Sequence, residues 1–257
     1  PPRSTLFPYT TLFRSMKKRQ RDIHLQKILF RCCCFFSVER AVYPFNKKYG
    51  GREKRGKNLP AKLVGVRFAK GPLGKPGSAV EFFGRRNSYV EIPKGSGALD
   101  TVKSITLMAW VQHKGKSGPI IHYIPNAWGV HLWMVGPKVA FVRFTTRKRR
   151  HFTKALASGR FFHLRGWNLV AATYNHADGT AKLFINHKFV SKRKIGKIEL
   201  ATNAAIRLGA RRHDRRFFKG KIACVKVFAK ALSSRSIAWA GKSCVRRKYI
   251  SISFSKS

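Results

Sequence analysis

Two apolar runs joined by a tight-turn dipeptide constrain this chain more than any other feature. The first run, Trp167–Tyr174, is rich in Trp, Val, Thr and Tyr, and the second is Thr180–Ile185. Between them lies Asp178-Gly179, which supplies the positive φ angles of a hairpin turn. A buried helix can carry similar apolar runs, but a second turn signal close behind, Asn186-His187, favours strands. The chain continues into Lys188–Val190, so this region is predicted to be a β-meander.

The first strand of this meander is apolar on both of its faces. Leu169 and Ala171 alternate along it with Val170 and Ala172. A strand of this kind is normally covered on both faces, as near the centre of a layered sheet protein. We therefore expect Trp167–Tyr174 to be a central strand with a layer on each side.

Charge is the main departure from an ordinary composition. Lys and Arg number 55 against 9 Asp and Glu, which gives a net charge of +46. Such a chain is attracted to polyanions, such as sulfated glycans, nucleic acid, anionic membrane surfaces or acidic mineral-associated polymers. Compositional bias in the source genome is the alternative explanation, and the sequence leaves both open.

Length and hydrophobic content allow a sizeable core. The 257 residues suffice for one large β domain or two small ones, and 44% of them are hydrophobic, including 20 Phe. No run of about 20 apolar residues occurs, so we expect no membrane span.

The N-terminal residues are set apart from the rest. Thr5–Ser15 reads like the in-frame translation of a sequencing-library adapter, so residues 1–15 are excluded from the fold prediction and Met16 is the expected start. Residues 16–41 open with a basic run and continue into Ile28–Val38, which resembles a weak secretory signal. Arg31 interrupts the apolar run and no clean cleavage site follows before Ala41, so an unordered leader is the alternative.

Short strands separated by Gly and Pro turn signals recur through the remainder of the chain. Lys62–Phe68 lies between a basic loop and two turn signals, and a short helix is predicted after Leu232, capped by Ser233 or Ser234. The predicted strands are Ala79–Phe83, Tyr89–Ile92, Ser104–His113, Pro119–Ile124, Trp128–Met134, Val139–Thr145, Trp167–Tyr174, Thr180–Ile185, Ala204–Leu208 and Lys221–Phe228. This pattern predicts an all-β fold, a two-sheet antiparallel jelly-roll sandwich over residues 42–245, followed by a basic tail at 246–257.

Five segments, in the right order, resemble the laminin G-like domains of the concanavalin A-like lectin/glucanase superfamily. They are Ala79–Pro93, Ser104–Val111, Trp167–Asn186, Arg207–Gly209 and Phe218–Ser233. The likeness extends from about Tyr43 to Cys244. It implies a jelly roll of about a dozen strands that is usually extracellular and usually binds rather than catalyses.

Three departures from the family pattern bear on function. Asn175 stands where the family often has Asp, and Asn186-His187 stands where it usually has Asn-Gly, so that turn holds His in a strained conformation or uses Asn in the left-handed region. The acids that calcium-binding relatives cluster are scattered here. They are Glu81, Glu91, Asp100, Asp178, Glu199 and Asp214. Because Ca²⁺ needs several oxygen ligands with negative charge, we expect no metal site and no cofactor.

The resemblance also implies a disulfide. In the family, the positions of Cys224, in the closing strand, and Cys244, past the helix, correspond to a bond that fastens the terminus to the sheet. Such a bond contributes on the order of 3 kcal/mol in the chain-entropy model and implies an oxidising compartment. Two buried thiols are the alternative.

The sequence offers no catalytic constellation. Glycoside hydrolases of this superfamily need two or three carboxylates on one strand, whereas Glu81 and Glu91 stand on separate strands with no second acid two residues away. No nucleophile elbow, Walker loop or His-Glu-x-x-His zinc motif occurs. We expect a protein that is not an enzyme.

Three basic clusters are the main candidates for function. In a jelly roll, loops gather at the rims of the sandwich, where they can merge into one cationic surface whose Arg side chains suit sulfate and carboxylate. Separate solvated loops are the alternative. The predicted polyanion-binding residues are Arg147, Lys148, Arg149, Arg150, Lys192, Arg193, Lys194, Arg211, Arg212, Arg215 and Arg216.

One aromatic side chain is a candidate glycan contact. In Trp128–Trp133, Trp133 lies on the opposite face from Trp128. An aromatic ring on an exposed face can stack on a sugar, although in a sandwich it is more often part of the core.

Three hypotheses for function follow from these features. The first is an extracellular, non-enzymatic module that binds acidic glycans or matrix polymers through a basic rim. The second is a structural or adhesion domain with a protein partner, its charge being compositional bias. The third is non-specific nucleic-acid binding, which the charge suits although no recognition motif is present.

Overall fold

The computed structural model describes residues 38–124, 127–148, 153–159, 163 and 166–245, and for 244 and 245 the backbone alone. The predictions for residues 1–15, for 16–37 of the leader and for the tail at 246–257 therefore lie outside the described residues. The described part consists mostly of strands, with one helix at its C-terminal end.

The strands form two antiparallel sheets, as predicted. The first contains β1 (Glu39–Tyr43), β3 (Arg67–Ala69), β4 (Ala79–Phe83), β6 (Ile105–His113), β11 (Trp167–Asn175), β12 (Thr180–Ile185), β13 (Lys188–Lys194) and β15 (Lys219–Phe228). Its order is β13-β12-β11-β6-β15-β4-β3, with β1 also paired to β15. The second contains β2 (Lys62–Val64), β5 (Tyr89–Ile92), β7 (Gly118–Tyr123), β8 (His131–Val135), β9 (Val139–Arg143), β10 (Leu156–Ala157) and β14 (Ile206–Leu208), in the order β10-β9-β8-β7-β14-β5-β2.

Strand β11 is buried on both faces, which confirms the expectation from its sequence. Val170 and Ala172 belong to the core between the two sheets. Leu169 and Ala171 lie on the opposite face and are also buried. That face is covered by helix α1 (Ser234–Val245), because the indole N–H of Trp110 in β6 donates to the Gly241 carbonyl at 3.1 Å.

The start of α1 confirms one of the two predicted caps. The Ser233 hydroxyl accepts a hydrogen bond from the Ser236 N–H at 3.3 Å, which satisfies a donor that the first turn leaves without an intrahelical partner. Near its other end the helix is tied to the sheet, since the Lys226 ammonium donates to the Ser243 hydroxyl at 2.9 Å.

Two segments have features that the sequence did not reveal. Lys62–Phe68 contains two strands, β2 and β3, that lie in different sheets, and Gly65 between them has φ +55 and leaves no room for a Cβ, which would lie 1.9 Å from the Asn87 carbonyl oxygen. Strand β1 contains residue 42, the expected start of the domain, and Ala41 within this strand is fully buried.

The turn between β12 and β13 uses the left-handed region at both of its central positions. Asn186 has φ 51 and His187 has φ 59. The Asn186 carboxamide oxygen accepts from the Leu169 N–H at 2.9 Å, so Asn fixes this turn to β11. His187 gains no such bond, and a non-glycine residue in this region costs roughly 1–2 kcal/mol.

Replacing His187 with Gly should therefore raise the free energy of unfolding by roughly 0.5–1 kcal/mol, the relieved strain less the entropy that a glycine loses on folding. Lys188→Gly is the matched control, because Lys188 is exposed and follows the turn in ordinary strand conformation. It should lower stability. Urea unfolding of both variants measures the two effects, and a loss of stability in His187→Gly would contradict the strain.

Candidate functional site

A layer of aromatic rings covers the outer face of the second sheet, opposite the core. It consists of His122 on β7, His131 and Trp133 on β8, and Phe141 on β9. The two imidazoles stack with centroids 5.2 Å apart, and His131 stacks on Phe141 at 5.9 Å. The strand period places these side chains on one face, because they alternate with core residues along each strand.

Hydrogen bonds fix His122 in the neutral form, and burial favours the neutral form of His131. The Trp133 indole N–H donates to His122 Nδ1 at 3.0 Å, so His122 carries its proton on Nε2 and donates it to the Ala127 carbonyl at 3.1 Å. His131 Nδ1 donates to the Gly129 carbonyl at 2.7 Å. Burial, and then the neighbouring His131, lower the pKa of His122 to about 3. Burial, together with the charges of nearby arginines, lowers the pKa of His131 to about 4.

Residues 210–217, between β14 and β15, lie across this aromatic layer; we call them the arginine strap. The Arg211 guanidinium lies 4.3 Å from the ring centroid of Trp128, and that of Arg216 lies 4.6 Å from the ring of Trp133. Both are held by Asp214, which accepts from Arg216 Nη2 at 2.7 Å and lies 3.7 Å from Arg211 Nη1. Burial alone raises the pKa of Asp214, but the bonds from Arg216 and the two charges outweigh it, so the pKa lies below its usual value.

The strap covers the ring of Trp133. Its side chain is only 2% exposed, its indole N–H is used by His122, and Arg216 covers its ring. The glycan contact expected at Trp133 stays a prediction. Trp128, which the sequence placed on the other face, is the more exposed of the two at 40%.

The predicted polyanion-binding residues fall into two groups. Four of them are engaged by carboxylates: Arg147 with Asp100, Arg212 with Glu91 at 3.7 Å, and Arg211 and Arg216 with Asp214. Five others are exposed, and none of them takes part in an ion pair within the described residues: Lys148, Lys192, Arg193, Lys194 and Arg215. Arg149 and Arg150 lie outside the described residues.

The exposed cations do not all lie on one part of the surface. Lys192–Lys194 are on β13, the edge strand of the first sheet. The segment that follows β13 reaches the Arg147 cluster, because the Arg147 N–H donates to the Glu199 carbonyl at 2.7 Å. The strap lies instead over β7 and β8, which are interior strands of the second sheet. Residues 195–199 thus link β13 to Arg147, whereas the strap lies on the other sheet.

Sequence reasoning missed two residues of this arrangement. Lys182 on β12 lies directly opposite Lys192, a pairing that only the strand register reveals. Asp214 organises the strap, and its signal was a single acid within a run of arginines. Among the described residues, no group of three or more His, Cys, Asp or Glu side chains is placed to hold a metal ion. Within the same residues, no helix has the length and apolar character needed to cross a bilayer.

Acid should destabilise the fold before any carboxylate titrates. In the unfolded chain both histidines have a pKa of about 6.5, so each binds a proton below that pH. In the folded protein His122 and His131 remain neutral there, because their pKa values are lowered. The contribution of these histidines to the free energy of unfolding is fully present above about pH 6.5. It should decrease towards pH 4.5, with a slope of up to about 1.4 kcal/mol per pH unit for each histidine.

The slope, measured by urea unfolding between pH 7 and 4.5, should be shallower in His131→Gln even if that variant is less stable overall. His213→Asn, at an exposed position on the strap, is the control and should keep the original slope. A slope unchanged in His131→Gln would contradict the assignment of a buried neutral imidazole.

Comparison with known proteins places this fold. Residues 83–238, more than half of the chain, match the laminin G family model described as the concanavalin A-like lectin/glucanases superfamily. No curated protein gives a significant sequence match.

Three solved structures share the architecture. The binding domain of Paraclostridial Mosquitocidal Protein 1 has a TM-score of 0.64 at 12% identity, over 81% of this chain and 53% of that chain. A botulinum neurotoxin type C structure has 0.64 at 13%, over 84% and 53%. The serotype D ligand binding domain has 0.63 at 16%, over 81% and 52%. The chain thus spans about half the length of each, and these identities establish a common fold.

The family match and the two-sheet architecture agree with the resemblance found in the sequence. The chain belongs to the concanavalin A-like lectin/glucanase superfamily, as a member of its laminin G family.

Proposed function

We propose that this protein is a non-enzymatic extracellular module that binds acidic glycans or related matrix polymers. The observation that carries the proposal is the distribution of charge after folding. The ion pairs between described residues use four carboxylates: Glu81, Glu91, Asp100 and Asp214. Many other described Lys and Arg side chains are exposed, and their positive charge attracts polyanions.

The placement of the acids supports a binding role rather than catalysis. Glu81 is on β4 and Glu91 on β5, which belong to different sheets. Glu81 is neutralised by Arg67 and Lys114, and Glu91 by Arg207 and Arg212. Glycoside hydrolysis needs two carboxyl groups on either side of one bond, with one of them free to give up a proton, and these two residues do not supply that.

Structures with the same fold also support binding. Botulinum neurotoxin type C depends upon interaction with two ganglioside molecules to enter cells, and the serotype D ligand binding domain has been solved with N-acetylneuraminic acid. Gangliosides carry acidic sugars, and N-acetylneuraminic acid is an acidic sugar. The present chain corresponds to about half of those domains. The comparison therefore bears on the class of ligand and not on where the ligand binds.

A protein partner is the second candidate. The neurotoxin DC binding domain has been solved in complex with rat synaptotagmin II. In this chain, Trp239 on α1 is 43% exposed, and aromatic side chains of this kind are common at protein interfaces. Under this alternative the charge is compositional bias, and glycan binding is weak.

Heparin, hyaluronan and neutral dextran distinguish the two candidates. We expect tight binding to heparin, weaker binding to hyaluronan, which carries carboxylates alone, and none to dextran. The logarithm of the heparin binding constant should fall steeply with the logarithm of salt concentration, by roughly 0.7–0.9 for each anionic group contacted on linear polyanions. A heparin affinity no greater than that for dextran at about 0.15 M salt would rule out the proposed function.

The extracellular location rests on the cysteines. We propose that Cys224 and Cys244 form a disulfide, as the family pattern implies. Cys224 lies in an irregularity of β15, buried and with φ 52, where its N–H donates to the Pro44 carbonyl at 3.1 Å. A disulfide there implies export to an oxidising compartment.

Peptide mass spectrometry of the natural protein without reduction tests this pairing. A linked peptide pair containing Cys224 and Cys244 is expected, and reduction should lower the free energy of unfolding by about 2–4 kcal/mol. Alkylation of both thiols in the unreduced protein would contradict the disulfide and the location that it supports.

A further inference from the structure

Three lysines stand together on the β12–β13 hairpin, and we call Lys182, Lys192 and Lys194 the lysine ladder. Lys182 pairs in register with Lys192, and Thr180 pairs with Lys194. Ala181 and Leu183, the neighbours of Lys182 on β12, face the core, so the ladder lies on the outer face of the first sheet. All three lysines are exposed.

The pairing of Lys182 with Lys192 is an unfavourable arrangement for a β-sheet. Like charges directly opposite each other on neighbouring strands, with Cβ atoms about 5 Å apart, are destabilising. Among the described residues no carboxylate forms an ion pair with these lysines. Asp178 is near, but its carboxylate is exposed; the bond from the Thr180 N–H holds its pKa below the usual range, with only a smaller contribution from Lys182.

An exposed aromatic ring continues the same face of the hairpin. Beyond the ladder, Phe184 pairs in register with Phe189, and the two rings meet edge to face at 6.1 Å. Phe184 is buried, whereas Phe189 is 52% exposed. The strip therefore presents cations at one end and an apolar ring at the other.

We propose that this strip, the lysine ladder together with Phe189, is the binding surface for a linear acidic glycan. The proposal rests on the function proposed above and gives it a place on the molecule. Lys192 and Lys194 are two residues apart on one strand, so their Cα atoms are about 7 Å apart. That spacing suits anionic groups repeated along a polymer, and the face of a sugar ring packs against the exposed Phe189.

The composition of the strip favours a glycan over a nucleic acid. Proteins that bind single-stranded nucleic acid stack successive bases on several aromatic side chains, and this strip offers one exposed ring. It also predicts that binding requires a chain of several sugars, because a single disaccharide cannot reach the ladder and Phe189 together.

A purely protective role for these lysines makes different predictions. Strand β13 is an edge strand, and lysines on such strands prevent pairing with other chains. If protection is their whole function, removing these lysines causes self-association. It then lowers the affinity for glycans no more than removing three lysines elsewhere does. The comparison therefore needs a control variant of equal charge.

The experiment uses two triple variants of the full chain. Lys182, Lys192 and Lys194→Gln removes the ladder, and Lys57, Lys70 and Lys75→Gln removes three exposed lysines from the loops that precede β2 and follow β3, at the opposite sheet edges. Each variant changes the net charge from +46 to +43, since three positive charges are lost. The affinity of each for a heparin dodecasaccharide is measured at several salt concentrations.

We expect the ladder variant to lose at least tenfold in affinity at about 0.15 M salt, and its salt slope to fall by about two, since each lost contact removes roughly 0.7–0.9. The control variant should stay within about threefold of the original, because general screening weakens distant charges. Thermal unfolding should show the ladder variant to be as stable as the original or more so, which excludes misfolding as the cause of lost binding.

Equal losses in the two variants would overturn the assignment of the ladder while leaving glycan binding intact. Absence of heparin binding in the original chain would instead remove the proposed function itself. Competition adds two further outcomes. A heparin disaccharide that competes as well as the dodecasaccharide would contradict the extended surface, and single-stranded DNA of equal charge that binds more tightly would assign the strip to nucleic acid.

Discussion

The attraction between apolar side chains on the two sheets has to outweigh the mutual repulsion of a chain with a net charge of +46. The fold meets this requirement by burying its central strands on both faces. Strands β6, β11 and β15 contribute one face to the core between the sheets and the other to the contact with α1. Most of the described cations are exposed, so water and salt weaken their mutual repulsion.

The scarcity of carboxylates decides how the positive charge is distributed. With 9 acids in the chain, the carboxylates that pair with arginines hold parts of the fold together. Asp214 holds the arginine strap over the aromatic layer, and Glu81 joins β3 and β4 through Arg67. An arginine engaged in this way is part of the scaffold. Among the residues that the structure describes, no carboxylate pairs with the cations of β13. Folding therefore leaves these charges unpaired within that part of the chain, while it neutralises the arginines of the strap.

Most of the architecture could be predicted from periodicity. The alternation in Thr180–Ile185, the turn at Asp178-Gly179 and the apolar faces of β11 depend on local physics alone, and the structure confirms them. The placement of β2 and β3 in different sheets could not be predicted, because the close approach of Asn87 to Gly65 is a tertiary contact.

The candidate site was harder to predict for the same reason. Whether an arginine is free depends on a carboxylate that folding brings near it, as with Arg147 and Asp100. Whether Trp133 is exposed depends on a loop about 80 residues later in the chain. Lys182 gained significance only from the register that sets it against Lys192.

Lysine acetylation, quantified by mass spectrometry with and without bound heparin dodecasaccharide, tests the central claim most directly. It reports where a polyanion lies on the unaltered protein. The account predicts strong protection of Lys182, Lys192 and Lys194 and little change at exposed lysines on the opposite sheet edges, such as Lys70 and Lys75. Equal protection of all exposed lysines, or protection confined to residues outside the β12–β13 hairpin, would contradict it.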